Sequence, residues 1–145
     1  MKRILRYIPI LIAVGAILFL TLMNTPKNVA MSEEFRKLLV RACERLGIRS
    51  DAWWNSSSGI RKLGHVLEYG LLGIASGIAF IDFGHRFKGT AIALSLCLTV
   101  SVLDQVIKIF VPIRHFDWTD IPFDIVGGII GIGIVLVVTM VMKKS

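Results

Sequence analysis

The side chains best suited to chemistry recur at helical spacing within otherwise apolar sequence. One group lies at positions i, i+4, i+7 and i+8, which places its members on one helical face: Arg61, His65, Glu68 and Tyr69. Asp104 and Lys108 form a second pair at i and i+4, and further polar residues follow them. Together these positions form a predicted polar site: Arg61, His65, Glu68, Tyr69, Asp104, Lys108, Arg114, Asp120 and Asp124.

These residue types can bind an anion or transfer a proton. The guanidinium groups of Arg61 and Arg114 are planar and can hold a phosphate or carboxylate through two hydrogen bonds. The histidine and the carboxylates can act as acid, base or ligands of a divalent metal ion. Alternatively, the charges only pair with one another and hold helices together, because buried charges need partners. The sequence leaves catalysis and metal binding open and identifies no cofactor.

The elements that position these residues are predicted from hydropathy. Of the 145 residues, 54% are hydrophobic and the mean hydropathy is +0.72, a balance typical of a membrane protein. Four apolar runs predict membrane-spanning helices at about residues 7–23, 63–83, 89–110 and 121–142. Glycines along the second and fourth runs favour close helix packing. We therefore predict an all-α, integral membrane four-helix bundle that forms a single domain over residues 1–145.

The polar segment between the first two runs predicts an additional amphipathic helix at about residues 32–46. Apolar residues recur there at helical spacing from Phe35 to Leu46, and most basic residues lie elsewhere on the helix. Ser32 is suited to cap its start and Gly47 to end it. Such a helix can lie at the membrane interface with its apolar face in the acyl boundary. It can equally cover the protein's own spans, and the sequence favours neither arrangement.

Alternating helix directions bring the polar residues to one side of the membrane. They begin the second span, end the third and begin the fourth. Counting Lys and Arg by the positive-inside rule is indecisive, because the side opposite the N-terminus carries more of them, but the purely basic flank of the first span favours cytoplasmic N- and C-termini. The polar site is then expected at the outer surface.

The charge of the chain indicates which class of molecule it binds, and the positions of the cysteines indicate whether they form a disulfide. The formal net charge is +7, from 17 Lys and Arg against 10 Asp and Glu. With so many apolar spans, we predict that this charge meets anionic membrane lipid and not nucleic acid. Cys43 and Cys97 are predicted to be unpaired, because one lies on the surface helix and the other midway along a span.

The ordered polar residues resemble the VanZ-like membrane proteins. The resemblance rests on Arg61-Lys62-x-x-His65-x-x-Glu68-Tyr69, then Asp104, then Pro112-x-Arg114, then Asp120 and Gly127, and covers about residues 61–131. This chain departs from the family pattern at three positions: it has Gln105 in place of Glu, Lys108 in place of Gln and Asp124 in place of Asn. A carboxylate of the second motif is therefore missing, and Lys108 adds a cation that can pair with Asp104 or Asp124.

The resemblance implies a role in the bacterial cell envelope. The founding member of that family is associated with low-level resistance to teicoplanin, a lipoglycopeptide acting on cell-wall precursors. Our leading hypothesis is a protein that binds an anionic or lipid-linked headgroup, such as a lipid-linked cell-wall precursor, at the outer membrane surface. One alternative is a lipid-phosphate hydrolase or transferase, with His65 or Glu68 as base and the aspartates holding a metal. The other is a structural or partner-binding membrane subunit. The oligomeric state is left open.

Overall fold

The computed structural model describes residues 5–23, 25–47, 56–81, 85–112 and 116–144. Within these ranges the chain forms helices, and no strand is present. The helices are α1 (Ile8–Leu22), α2 (Thr25–Arg45), α3 (Ser57–Phe80), α4 (Arg86–Phe110) and α5 (Asp120–Lys144). The predicted all-α fold is confirmed.

Three of the described helices are long and apolar enough to cross a membrane: Ser58–Phe80, Arg86–Phe110 and Asp120–Met142. Helix α1 is also apolar but has only 15 residues. At about 1.5 Å per residue it spans roughly 22 Å, less than the hydrocarbon core of about 30 Å. It packs against α3 and α4, and those two helices and α5 contact one another pairwise. The chain is thus a helical membrane protein with a bundle of four apolar helices and one amphipathic helix.

The boundaries of the second apolar helix differ from those predicted. Helix α3 begins at Ser57 and not near residue 63, because the Ser56 hydroxyl accepts a hydrogen bond from the Gly59 N–H at 3.0 Å and caps its start. It ends at Phe80, before residue 83, and Ile81 is already extended. The capping serine precedes the hydrophobic run, so hydropathy alone places the start too late. As a result, Arg61 lies inside the first turns of the helix.

The predicted close approach of glycine-bearing helices is confirmed between α3 and α5. A Cβ atom at Gly73 would overlap the backbone of Gly128, and one at Gly131 would overlap the Gly70 carbonyl group. The two backbones therefore touch, as small residues permit in a membrane. Gly133 is different, since a Cβ there would meet nothing within 4 Å.

Helix α2 is longer than predicted. It begins at Thr25, and Ser32 lies within it, so the prediction that Ser32 caps its start is wrong. Pro26 follows the first residue, a position where proline favours a helix start. The predicted end is confirmed: Gly47 has a φ of 71°, and its N–H donates a hydrogen bond to the Glu44 carbonyl oxygen at 3.1 Å.

Apolar side chains are found both in the core of the bundle and on its outer surface. Tyr69, Leu72 and Ala93 are fully buried in the core, whereas many large apolar side chains such as Leu71 and Val137 face outward. Outward apolar side chains are expected where lipid is the solvent. Both cysteines are free thiols, as predicted.

Candidate functional site

The structure brings the described members of the predicted polar site together at one end of the bundle, where α3 begins, α4 ends and α5 begins. Most are almost fully buried: Tyr69, Asp104, Lys108, Asp120 and Asp124. The other described members are partly buried or exposed: His65, Glu68 and Arg61. Arg114 lies outside the described residues. We call this set, as far as it is described, the polar cluster.

The side chain of Lys108 joins two helices inside the polar cluster. Its Nζ lies 2.9 Å from Asp104 Oδ2, one turn earlier on α4, and 3.3 Å from Asp120 Oδ2 at the start of α5. The ammonium group is almost completely enclosed, with 6% of the side chain exposed. An ion pair this deeply buried strongly disfavours the loss of one partner, because the remaining charge would be left uncompensated.

His65 connects α3 to both aspartates of α5. Its Nε2 lies 3.4 Å from Asp120 Oδ2, and its Nδ1 lies 2.9 Å from Asp124 Oδ1 without the alignment of a hydrogen bond. The other Asp124 oxygen accepts a hydrogen bond from the Ser101 hydroxyl of α4 at 2.6 Å. The His65 ring stacks on Tyr69, with ring centroids 6.5 Å apart. The imidazole is therefore held by contacts on both sides.

Arg61 forms the exposed rim of the polar cluster. Its side chain is 53% exposed, and its Nη2 lies 2.7 Å from Asp117 Oδ2 and 3.5 Å from Asp120 Oδ1. The Asp117 carboxylate also accepts hydrogen bonds from the Thr119 hydroxyl and N–H, at 2.7 and 2.9 Å. These hydrogen bonds, with the Arg61 charge, hold the pKa of Asp117 below its usual range. The guanidinium group is thus anchored and still reachable from outside.

Several partners of the polar cluster were not predicted from the sequence. The Thr21 hydroxyl, 3% exposed near the end of α1, donates a hydrogen bond to Asp104. The side-chain oxygen of Gln105 accepts a hydrogen bond from the Asp117 N–H at 3.3 Å and so positions Asp117, the partner of Arg61. Ser101 was also missed, and Asp117, one of the polar residues that follow Asp104 and Lys108, was not assigned to the site. A single hydroxyl in an apolar run gives no periodic signal, although the Asp-x-Thr pattern before α5 is typical of a capping turn.

Two predicted members do not join the ion-pair network. Glu68 is partly buried and makes no side-chain hydrogen bond or ion pair with any residue that the structure describes. Tyr69 is fully buried, and its hydroxyl group has no hydrogen-bond partner within the described ranges. These two side chains are therefore available for a water molecule or a ligand, as is the Gln105 amide nitrogen, which also has no hydrogen-bond partner among the described residues.

The cluster offers acid–base groups and a guanidinium group more readily than a metal site. Among the described residues, no three His, Cys, Asp or Glu side chains are grouped so that they could hold a metal ion. The Lys108 ammonium instead lies between two of the aspartates. The arrangement can bind an anionic group at the rim and can move a proton at His65.

A sequence model of the VanZ/LLP1 family matches residues 8–139, which include α1, α2 and almost all of the three longer apolar helices. No curated protein and no solved structure matches the chain. The match extends well beyond the region from residue 61 to 131 on which the sequence resemblance rests.

Proposed function

Because the chain belongs to the VanZ/LLP1 family, we propose that it binds the headgroup of an anionic or lipid-linked molecule at the outer surface of the cell membrane. A lipid-linked cell-wall precursor is the ligand that best joins this site to the envelope role implied by the family. By holding such headgroups, the protein would alter the sensitivity of the cell to teicoplanin-type antibiotics.

The observation that carries the proposal is the position of Arg61. Its contacts with Asp117 and Asp120 both use Nη2, and no described residue occupies the N–H groups of Nη1 and Nε, which can therefore bind a ligand. The aspartates hold the side chain in place, which reduces the entropy lost when an anion binds. A phosphate at the membrane surface fits a half-exposed, oriented guanidinium group. Arg114 stays a predicted second ligand of the same phosphate.

The helix contacts support the proposed membrane arrangement. The end of α1 reaches the polar cluster through Thr21, so the start of α1 points to the opposite side of the bundle. The end of α5 points the same way, since α5 begins at the cluster. We place these two termini in the cytoplasm, with the chain crossing the membrane several times and the polar cluster facing outward.

Substitution of Arg61 tests headgroup binding. We expect Arg61→Gln to weaken binding of phosphatidylglycerol about tenfold, which corresponds to about 1.4 kcal/mol. The measurement is lipid retention by the purified chain in nanodiscs, read by native mass spectrometry, with phosphatidylcholine as the neutral lipid.

Lys62→Gln is the matched control, because it removes the same charge one residue away. The Lys62 ammonium lies over the Phe123 ring at 5.0 Å and forms no ion pair with the described residues of the cluster. Equal losses in both variants, or no lipid preference in the unsubstituted protein, would contradict the proposal. A second probe is an undecaprenyl-linked precursor, which tests whether lipid-linked headgroups bind more tightly than phosphatidylglycerol.

One observation favours a structural role instead. Nearly all the described ionic groups of the cluster pair within the protein, with Glu68 the exception. A purely structural network predicts that Arg61→Gln and similar variants lower function only in proportion to the amount of protein in the membrane. Normal abundance with lost headgroup binding would reject this alternative.

The contacts of His65 favour the enzyme alternative. An imidazole held between two carboxylates is suited to acid–base catalysis of lipid-phosphate hydrolysis or transfer. The test is phosphate release from a defined lipid phosphate by the purified chain. Release that disappears in His65→Gln, while lipid retention persists, would establish this activity.

A further inference from the structure

Some apolar residues of helix α2 are covered by the protein, and others are exposed. Phe35 and Leu39 are partly covered, and the helix packs against α3. Leu38, Ala42 and Leu46 are exposed, with 62% of Leu38 and 75% of Leu46 accessible. Leu38 and Ala42 lie at i and i+4. Leu46, in the turn directly after α2, continues this spacing at i+8, since its N–H bonds to the Ala42 carbonyl oxygen at 3.2 Å, so the three form one apolar row. Part of the amphipathic face thus covers the protein, and the rest is left for another partner.

A row of basic residues runs beside the exposed apolar row. Lys37, Arg41 and Arg45 are all exposed and also lie at i, i+4 and i+8. Arg45 lies seven residues after Leu38, or about two helical turns, and therefore on nearly the same side of the helix. Lys37 forms an ion pair with Glu34 at 2.7 Å on the outer surface. Basic and apolar rows side by side are typical of a helix lying in a membrane interface.

The chain geometry places α2 at the level of the polar cluster. Helix α1 ends at Leu22 and α2 begins at Thr25, so the start of α2 lies close to the end of α1. One residue before the end of α1, Thr21 contacts Asp104 of the cluster. The start of α2 and the polar cluster therefore lie at the same end of the bundle.

We infer that α2 binds the anionic lipid of the bilayer leaflet nearest the polar cluster. Leu38, Ala42 and Leu46 insert among the acyl chains, and Lys37, Arg41 and Arg45 contact the phosphates. Charge complementarity selects an anionic lipid surface, since the exposed basic row would repel the same row of a second copy. Helix α2 gathers anionic lipids next to Arg61. This inference does not require that Arg61 itself binds a headgroup.

Single labels along α2 test its position. In the full chain with Cys43→Ala and Cys97→Ala, an NBD fluorophore is attached to Leu46→Cys in nanodiscs containing phosphatidylglycerol. We expect a blue-shifted emission that spin-labelled lipid quenches and iodide does not. Glu44→Cys is the matched control, because that exposed residue is polar and lies away from the apolar row. Equal iodide quenching at both positions, or energy transfer between labelled copies, would overturn the inference.

The charge requirement has its own test. Raising the fraction of phosphatidylglycerol should increase the blue shift of the label at position 46. The combined change Lys37→Gln, Arg41→Gln and Arg45→Gln should remove most of this dependence. Neutralising the same number of charges at Lys88, Lys143 and Lys144 should leave it unchanged. A persistent dependence in the α2 variant would show that the basic row does not bind anionic lipid, whatever the result at Arg61.

Discussion

At the scale of single residues, Lys108 holds the polar cluster together. Among the described residues, Lys108 is the only lysine whose ammonium group lies between buried carboxylates. It pairs with Asp104 on its own helix and with Asp120 on the next helix. Glutamine, the residue of the family pattern at this position, would supply hydrogen bonds but no charge. In this chain the cation compensates carboxylates that would otherwise be buried without a partner.

Removal of this cation should destabilise the protein strongly. We expect Lys108→Met to lower the free energy of unfolding by about 3–5 kcal/mol, because it leaves buried carboxylates unpaired. Adding Asp104→Asn should recover part of the loss, which a double-mutant cycle would measure. The measurement is unfolding in mixed micelles at increasing SDS fraction.

The control for this change lies at the other end of α4. Lys88 is exposed, so Lys88→Met removes the same charge without exposing a buried partner. Comparable stability of the Lys108→Met and Lys88→Met variants would contradict the role assigned to the buried ion pair. A loss that Asp104→Asn fails to reduce would assign the effect to Asp120 alone.

At the scale of helices, the close packing of α3 against α5 depends on glycines, which have no side chain. We expect Gly131→Ala to destabilise the bundle by about 1–3 kcal/mol, since the added methyl group would overlap the Gly70 carbonyl group. Gly133→Ala should be neutral or stabilising by up to about 1 kcal/mol, because that position is open and alanine favours a helix. Thermal unfolding in detergent compares the two directly, and equal effects would contradict the packing described.

The helices were largely predictable, but their partners were not. Hydropathy locates apolar runs, and alternating directions bring Asp104 and Asp120 to one end, whatever the side-chain details. The start of α3 was misplaced because the Ser56 cap precedes the hydrophobic run. Thr21 was missed because its importance arises from a contact between helices far apart in the sequence. Periodicity reports on one helix at a time and carries no information about such contacts.

At the scale of the whole molecule, the net charge of the polar cluster differs from that of the whole chain. The chain is basic by +7, yet the polar cluster contains more described carboxylates than lysine and arginine side chains. The excess positive charge lies in α2 and in the segments flanking the spans. A ligand phosphate at Arg61 meets an acidic interior beyond the rim, which favours binding at the rim over deeper entry.

The direction of the whole molecule across the membrane decides whether the rim meets cell-wall precursors. With cytoplasmic termini, a cysteine at the exposed Ser58, beside Arg61 at the start of α3, should react with a membrane-impermeant maleimide added to intact cells. A cysteine at Lys144 should react only after the membrane is opened. Both are introduced into the chain with Cys43→Ala and Cys97→Ala. Labelling of position 144 alone in intact cells would place the polar cluster in the cytoplasm, where phosphatidylglycerol is still available but surface-exposed wall precursors are not.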